Sequence, residues 1–408
     1  MNQGFLSKYF EGVAAKRLAR VEIDPLISNQ HELNGVRMLK AVLGECGEPV
    51  SFESTFLMVA DENESLRDNG TVTWYDSRRN NPNRAAECRL YFTKNEVLAT
   101  AEPGDLLILA RKKDGRLILV VAPQNSTVEL QIMWLFGIEN QIEATFQPLD
   151  ISEIDPGDAE FAARFILDEI GIELDEPETD FLDAILNSID FSLPDTRTFS
   201  SLARATVKES VSPLDNPDKA LLNWINHEER MFRRLERYLI QEQLETGFKN
   251  NLGEIDVDGF ISFSLSVQNR RKSRVGYALE HHLEAIFKDH ELNFDRQGKT
   301  ENNKKPDFLF PGTLAYSDMD FDASRLRMLG VKSTCKDRWR QVLSEANRIT
   351  HKHLLTLEPG ISENQTSEMG RSRLQLVLPK ALHQTYSDNQ TGFLWSLSDF
   401  IDEIKSLP

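Results

Sequence analysis

The chain has 408 residues, 40% of them hydrophobic and 27% charged, with a formal net charge of -18 at pH 7. That length predicts two or three domains, each able to bury its own core. No run approaches the roughly eighteen apolar residues of a membrane span, MNQGFLSKYFEG lacks a signal peptide's apolar segment, and no G-x-x-x-x-G-K-[ST] stretch offers a cradle for ATP. Cys46, Cys88 and Cys335 are odd in number and far apart, which fits neither a disulfide framework nor a zinc site. A reducing, cytoplasmic setting with no membrane and no ATP is the expectation.

Residues 1–145 read as strands. VSFESTFLMVA, GTVTWYDS, ECRLYF, DLLILARK, RLILVVA and TVELQIMWLF are short apolar or alternating runs separated by turns such as DNG and KKDGR. A small antiparallel sheet or barrel follows. Its loops are expected to hold two basic clusters, Lys16-Arg17-Leu18-Ala19-Arg20 and Arg78-Arg79 with Arg84 and Arg89; solvated loop charge is the plain alternative.

Residues 146–198 form an acidic, partly helical connector. Between Glu143 and Asp195 lie sixteen acidic residues and one basic one, Arg164. The negative balance is thus concentrated here, and surfaces that could meet a polyanion lie elsewhere. FAARFILDEIGI and FLDAILNSI read as short amphipathic helices inside it.

Residues 199–408 begin with a helical lead-in, ALLNWINHEERMFRRLERYLIQEQLETGF. VGYALEHHLEAIFKDH, 275–290, is then a helix with Glu280 beside its apolar stripe. KKPDFLF, 304–310, is a Pro-Asp opening a strand, and RMLGVK, 327–332, is a strand ending in lysine. DRWRQVLSEANRI, 337–349, is a helix carrying Glu345; HLLTL and RLQLVLP are strands, and LWSLSDFIDEI is a closing helix. This order predicts a small α/β core with a mixed sheet.

Asp307 and Glu345 are hard oxygen ligands of the kind Mg²⁺ takes, and a lysine such as Lys332 among them holds an attacking water or a pentavalent phosphate. Each piece alone has an ordinary reading, as a turn residue or a snorkelling edge lysine; in this order, between basic flanks, they point to phosphodiester hydrolysis. QNRRKSR, with Arg271 and Lys272, and NKKPD would line the approach with phosphate-binding charge. Lys336, Asp337 and Arg338 differ, because an aspartate between two bases is a liability against phosphate. Lys and Arg donate to guanine and Asp accepts from cytosine, which is a code for G·C pairs. His281, His282, His351 and His353 read as packing or surface residues rather than metal ligands.

At these residues the chain resembles the EcoRII-type restriction endonucleases of the PD-(D/E)XK nuclease superfamily. NRRKSR with Glu280, NKKPDFLFP, AYSD, RMLGVKSTCKDRWRQVLSEAN and RLQLVLP carry the likeness. The resemblance implies a metal-binding Asp307 and a catalytic Lys332. The acid usually two residues before the lysine is absent, Gly330 standing there, and Glu345 supplies it. The resemblance also implies active-site roles for Glu280 and Tyr316, and a recognition triplet at Lys336, Asp337 and Arg338. The activity implied is Mg²⁺-dependent cleavage of double-stranded DNA at a CC(W)GG-like target.

More faintly, VTWYDSR and NQHELNGV resemble that family's effector domain, a B3-like pseudobarrel that grips a second copy of the target. This would place Arg20, His31, Arg78 and Arg79 on a DNA-facing surface. Relatives usually act as homodimers. The competing classes are a catalytically inactive DNA-binding protein of the same fold and a nicking or repair nuclease; the acidic residues and lysine in place speak against the first, and the G·C-reading triplet against the second.

Overall fold

The computed structural model describes residues 5–24, 26–27, 31–60, 65–81, 83–138, 142–151, 160–172, 179–207, 211–249, 253–335 and 338–407, without the side chains of residues 169 and 272. Two compact units emerge. The first comprises Met1–Gly157, Ala163–Glu173 and Pro359–Ser362, and the second Asp158–Ala162, Leu174–Glu358 and Glu363–Pro408.

The first unit is built on an eight-stranded mixed sheet of β1 (Phe10–Arg17), β2 (Glu32–Leu33), β3 (Val50–Met58), β4 (Leu66–Asp76), β5 (Cys88–Phe92), β6 (Leu106–Lys112), β7 (Leu117–Ala122) and β8 (Gln147–Leu149), in the order β2-β5-β4-β3-β7-β6-β1-β8. Only β3 and β7 pair in parallel; the remaining neighbours are antiparallel. Alternation along β4 buries Val72, Trp74 and Asp76 and turns Thr71 and Thr73 outward. Short helices α1 (Arg20–Ile23), α2 (Lys40–Leu43) and α3 (Glu96–Thr100) fill the connections.

The sheet expected to be antiparallel has the parallel β3–β7 pair, Arg89 lies on β5 rather than in a loop, and three further expectations fail in this unit. TVELQIMWLF is not a strand but helix α4 (Thr127–Leu135). The Ser126 hydroxyl accepts from the Glu129 amide at 3.0 Å and caps it, and an unbroken apolar run carries no period that separates strand from buried helix. Lys16 and Arg17 are not loop charges: they close β1, where Lys16 is fully buried against Glu22 and Arg17 pairs with Glu129. Finally, Cys46 and Cys88 form a disulfide, with Cα atoms 5.7 Å apart across a sequence separation of 42. Sequence distance hid the pair, because Cys88 opens β5 and the fold brings it beside the loop after α2. Cys335 remains a buried thiol.

Helices α5 (Glu160–Glu169) and α6 (Thr179–Asn187) fall where the acidic stretch shows amphipathic runs. In the second unit, α6, α7 (Thr196–Thr206) and α8 (Pro217–Thr246) pack around Leu186, Phe199, Met231, Phe232 and Leu235, and Arg274 of α9 (Val257–Asp289) lies over the rings of Phe199 and Phe232. Asn216 caps α8 through the Lys219 amide, and Pro217 supplies a first residue that needs no amide partner.

The second sheet runs β13-β12-β11-β10-β9, from β9 (Asp295–Arg296), β10 (Phe308–Phe310), β11 (Arg327–Lys332), β12 (Lys352–Thr356) and β13 (Leu374–Val377). β11, β12 and β13 are parallel; β9 and β10 join antiparallel. Helices α10 (Thr313–Ser317), α11 (Trp339–Leu343), α12 (Glu363–Arg371) and α13 (Leu397–Ser406) complete it. Phe287 of α9 meets Phe308 at 5.1 Å and Phe310 at 5.5 Å edge to face, and Phe400 of α13 meets Phe310 at 5.6 Å. Such contacts add about 0.5–1.5 kcal/mol each beyond burial and fix α9 and α13 on one sheet. Among the described residues, no helix is long and apolar enough to cross a membrane.

Candidate active site

β10 and β11 set the geometry. Their antiparallel register pairs Phe308 with Leu329, so the residue before β10 lies beside the end of β11. Asp307 Oδ2 there accepts the Val331 amide at 2.6 Å and the Lys332 ammonium at 3.2 Å. Lys332 Nζ also reaches the Val331 carbonyl at 3.1 Å. The two side chains are thus strapped to each other and to the backbone of adjacent strands, the rigid support that a reacting centre would need.

Glu345 reaches this pair by another route. The helix expected over 337–349 is shorter, and Glu345 lies in the turn after α11 rather than on a helical face. α11 packs on β11 through Val342, and a Cβ on Gly330 would lie 2.9 Å from Val342 Cγ2. A side chain two residues before Lys332 would crowd Val342, and the carboxyl that shares the field of Asp307 and Lys332 is that of Glu345, from the turn after α11. Burial, reinforced by the negative charge of Asp307, pushes the Glu345 carboxyl up to about 7 against the pull of Lys332, Lys304 and Lys352.

Glu280 of α9 faces the same charge. Burial raises its carboxyl, Asp307 raises it further, and a hydrogen bond from Arg296 at 2.7 Å opposes both. Arg296 also holds Glu284, one helical turn on, which Arg197 and Lys288 share. Arg296 sits on β9, opposite Phe308 in the register. Sequence reading passed over it; glutamates at i and i+4 on α9 were the available signal.

Tyr316 is buried, and its hydroxyl lies 2.7 and 2.6 Å from the two Glu301 oxygens. Burial and the Glu301 bond push it up to about 12.

The remaining candidates are spread out. Arg338 is exposed at the start of α11. Lys336 and Asp337 lie outside the described residues, as does the side chain of Lys272. The basic run of 268–274 falls inside α9 and does not project as a group: Arg271 pairs with Glu236 at 2.5 Å, and Arg274 is buried over the rings of Phe199 and Phe232. On a helix, successive residues point around the cylinder, so a run of bases cannot all face one approach.

In the first unit Arg20 pairs with Asp24 at 3.2 Å, Arg78 with Glu87 at 2.7 Å and Arg79 with Glu48 at 3.4 Å. His31, at φ 51°, stands edge-on to Tyr91 and Phe92. His282 is buried with Glu228 at 3.0 Å, and His353 lies between Trp395 and Phe400, both packing roles.

Among the described residues no group of three or more His, Cys, Asp or Glu is gathered at metal-binding distance. The donor chemistry still fits one hard cation. Asp307 and Glu345 repel each other in a partly dry site, as the raised Glu345 carboxyl records, and Mg²⁺ commonly takes one or two carboxylates plus substrate oxygens and water.

Residues 232–401 match the family model described as EcoRII C terminal. Over 193 residues the chain is 45% identical to the Type II restriction enzyme EcoRII of Escherichia coli, covering 47% of this chain and 46% of that protein. The chain therefore spans about half the length of the curated relative it matches. Solved structures with related backbones include metal-depleted Ecl18kI with uncleaved, modified DNA, at a TM-score of 0.44 and 16% identity, covering 56% of this chain and 83% of that one. The complex of restriction endonuclease PspGI with substrate DNA gives a TM-score of 0.40 and 12% identity, covering 57% and 93%. Asp307, Lys332, Glu345, Glu280 and Tyr316 all fall within the segment 232–401 that matches the EcoRII C-terminal model.

Proposed function

We propose that this chain is a Type II site-specific deoxyribonuclease that hydrolyses double-stranded DNA at a CC(W)GG-like target with Mg²⁺ and leaves 5′-phosphates. The observation that carries this reading is the Asp307–Lys332 pair at 3.2 Å with a carboxyl lifted to about 7 beside it, inside a segment 45% identical to a Type II restriction enzyme.

Asp307 and Glu345 would hold the metal, which supplies charge neutralisation on the scissile phosphate and acidifies a bound water. Lys332, fixed by Asp307 and the Val331 carbonyl, orients the attacking water toward phosphorus and offsets charge on the phosphoryl oxygens. Water oxygen bonds to phosphorus as the bond to the 3′-oxygen breaks, so the phosphate stays on the 5′ side. Arg338, with Lys336 and Asp337, reads the G·C arms. Residues 1–145 are proposed as a B3-like effector domain holding a second target copy, with Arg20, His31, Arg78 and Arg79 on its DNA-facing side. Residues 146–198 would link it to the catalytic domain, 199–408, and a homodimer would cut both strands in the cytoplasm.

The test is digestion of DNA carrying one or two CCWGG sites with Mg²⁺, followed by end mapping. The expected result is cleavage before the first cytosine, abolished by Lys332→Ala while specific binding survives. Cleavage by Lys332→Ala at the wild-type rate, or no cutting by the wild type at any site, would overturn the reading.

A further inference from the structure

The turn that carries Glu345 is held by side chains from elsewhere in the sequence. The Asn347 amide donates to Glu301 Oε2 at 3.3 Å, and the Arg348 amide donates to the Tyr316 hydroxyl oxygen at 3.2 Å. Tyr316 donates its own proton to Glu301. The buried Lys352 ammonium donates to the carbonyls of Ile349 at 2.8 Å and Ala346 at 3.3 Å. The Arg348 guanidinium donates to the carbonyls of Tyr316, Asp318 and Phe321.

This turn needs such support. Ala346 has φ 47°, a left-handed conformation that costs a non-glycine residue energy and persists only where its surroundings enforce it. Glu345 stands next to it, two residues past the end of a five-residue helix, its amide bonded to the Val342 carbonyl at 3.1 Å. A helix that short gives its end no stiffness of its own.

We infer that Glu301 is a positioning residue for Glu345, acting through Tyr316 and the Asn347 amide, and that Tyr316 belongs to this brace rather than to the groups touching the scissile phosphate. A tyrosine hydroxyl has one proton to donate. Here that proton is committed to Glu301, and the oxygen already accepts from Arg348, so little is left for a phosphate. Burial would raise the Glu301 carboxyl, but the Tyr316 hydroxyl and the Asn347 amide hold it below the ordinary range, keeping it an acceptor for both. The inference rests on the endonuclease reading for the role of Glu345, while the brace itself is a separate structural statement.

The full chain is compared with Glu301→Ala, Glu301→Gln and Tyr316→Phe by amide hydrogen exchange and by steady-state cleavage of a CCWGG duplex with Mg²⁺. Glutamine can still accept from both donors and alanine cannot. In Glu301→Ala, exchange at residues 346–349 should quicken by about tenfold or more while β11 and β12 keep their protection. Its kcat should fall by about a hundredfold with KM for DNA little changed, since a displacement of about 1 Å in a catalytic group costs that much. Glu301→Gln should restore most of both, and Tyr316→Phe should fall between. Unchanged protection and kcat in both Glu301→Ala and Tyr316→Phe would overturn the inference. So would loss of protection across the whole unit in every variant, glutamine included, which would mark a fold defect. Should the turn loosen as expected in a protein that never cuts DNA, the endonuclease reading fails and the brace stands.

Discussion

Gly330→Ala tests the close approach of α11 to β11 two residues before Lys332. The added Cβ would lie 2.9 Å from Val342 Cγ2, closer than Cβ atoms pack, and 3.1 Å from Cγ1, tighter than most such contacts. Neither partner can retreat easily: β11 is hydrogen-bonded to β10 on one side and β12 on the other, and Val342 is fully buried. Overpacking of this kind costs about 1–3 kcal/mol, and replacing a strand glycine returns about 0.5–1 kcal/mol of backbone entropy. The net loss should be about 1–2 kcal/mol, read as a lower midpoint in equilibrium urea unfolding. Val342→Ala removes both offending methyls. The pair Gly330→Ala/Val342→Ala should therefore lose less than the sum of its singles, by about 1 kcal/mol or more. Strict additivity, or a Gly330→Ala protein as stable as the parent, would refute the steric account of why this chain carries glycine two residues before its lysine.

The Glu345 carboxyl keeps its proton to about pH 7 in the folded chain and loses it near its ordinary value when unfolded, so between those values the folded state binds more protons. Stability of chelator-treated protein should therefore fall as pH rises through that window, and Glu345→Gln should flatten the slope; identical slopes for the two proteins in urea midpoints at pH 5 and pH 8 would count against the coupling. Lys16 is fully buried on Glu22, with the Asn34 carbonyl at 3.0 Å as its other acceptor. Lys16→Met should cost about 3–5 kcal/mol by stranding the Glu22 charge, and leave DNA affinity per folded molecule unchanged, as filter binding on the folded fraction would show.

Much of the second unit could be read from the residues. RMLGVK forms β11 over the span expected, the runs after it form β12 and β13, and the lead-in forms α8, because these runs have strand length between turn signals and the lead-in keeps a helical period over many turns. The neighbourhood of Asp307 and Lys332 was legible for the same reason. Other features had no local signal. β1 was missed because FEGVAAKR has small residues and a lysine where a buried strand usually shows branched apolar ones, the lysine being matched by a glutamate the sequence does not mark. Arg296 and Glu301 lie in loop-like text, and their partners on α9, α10 and the Glu345 turn are distant in the chain. The early end of α11 depends on a left-handed alanine, a conformation that alanine's propensity argues against.

These particulars connect. A site built wholly on strands would place its carboxylates by backbone pairing, with no further support. Here the packing of Val342 on Gly330 takes that option away at one position and transfers the carboxylate to a turn after a short helix. A turn has no ladder to fix it, so the rigidity that β11 gives Lys332 has to be assembled for Glu345 from Glu301, Tyr316 and Lys352. A lone change to an acid at Gly330 would therefore not recreate a strand-borne site. It would place a second carboxylate against Val342, push α11 outward, and loosen the turn on which the existing one depends.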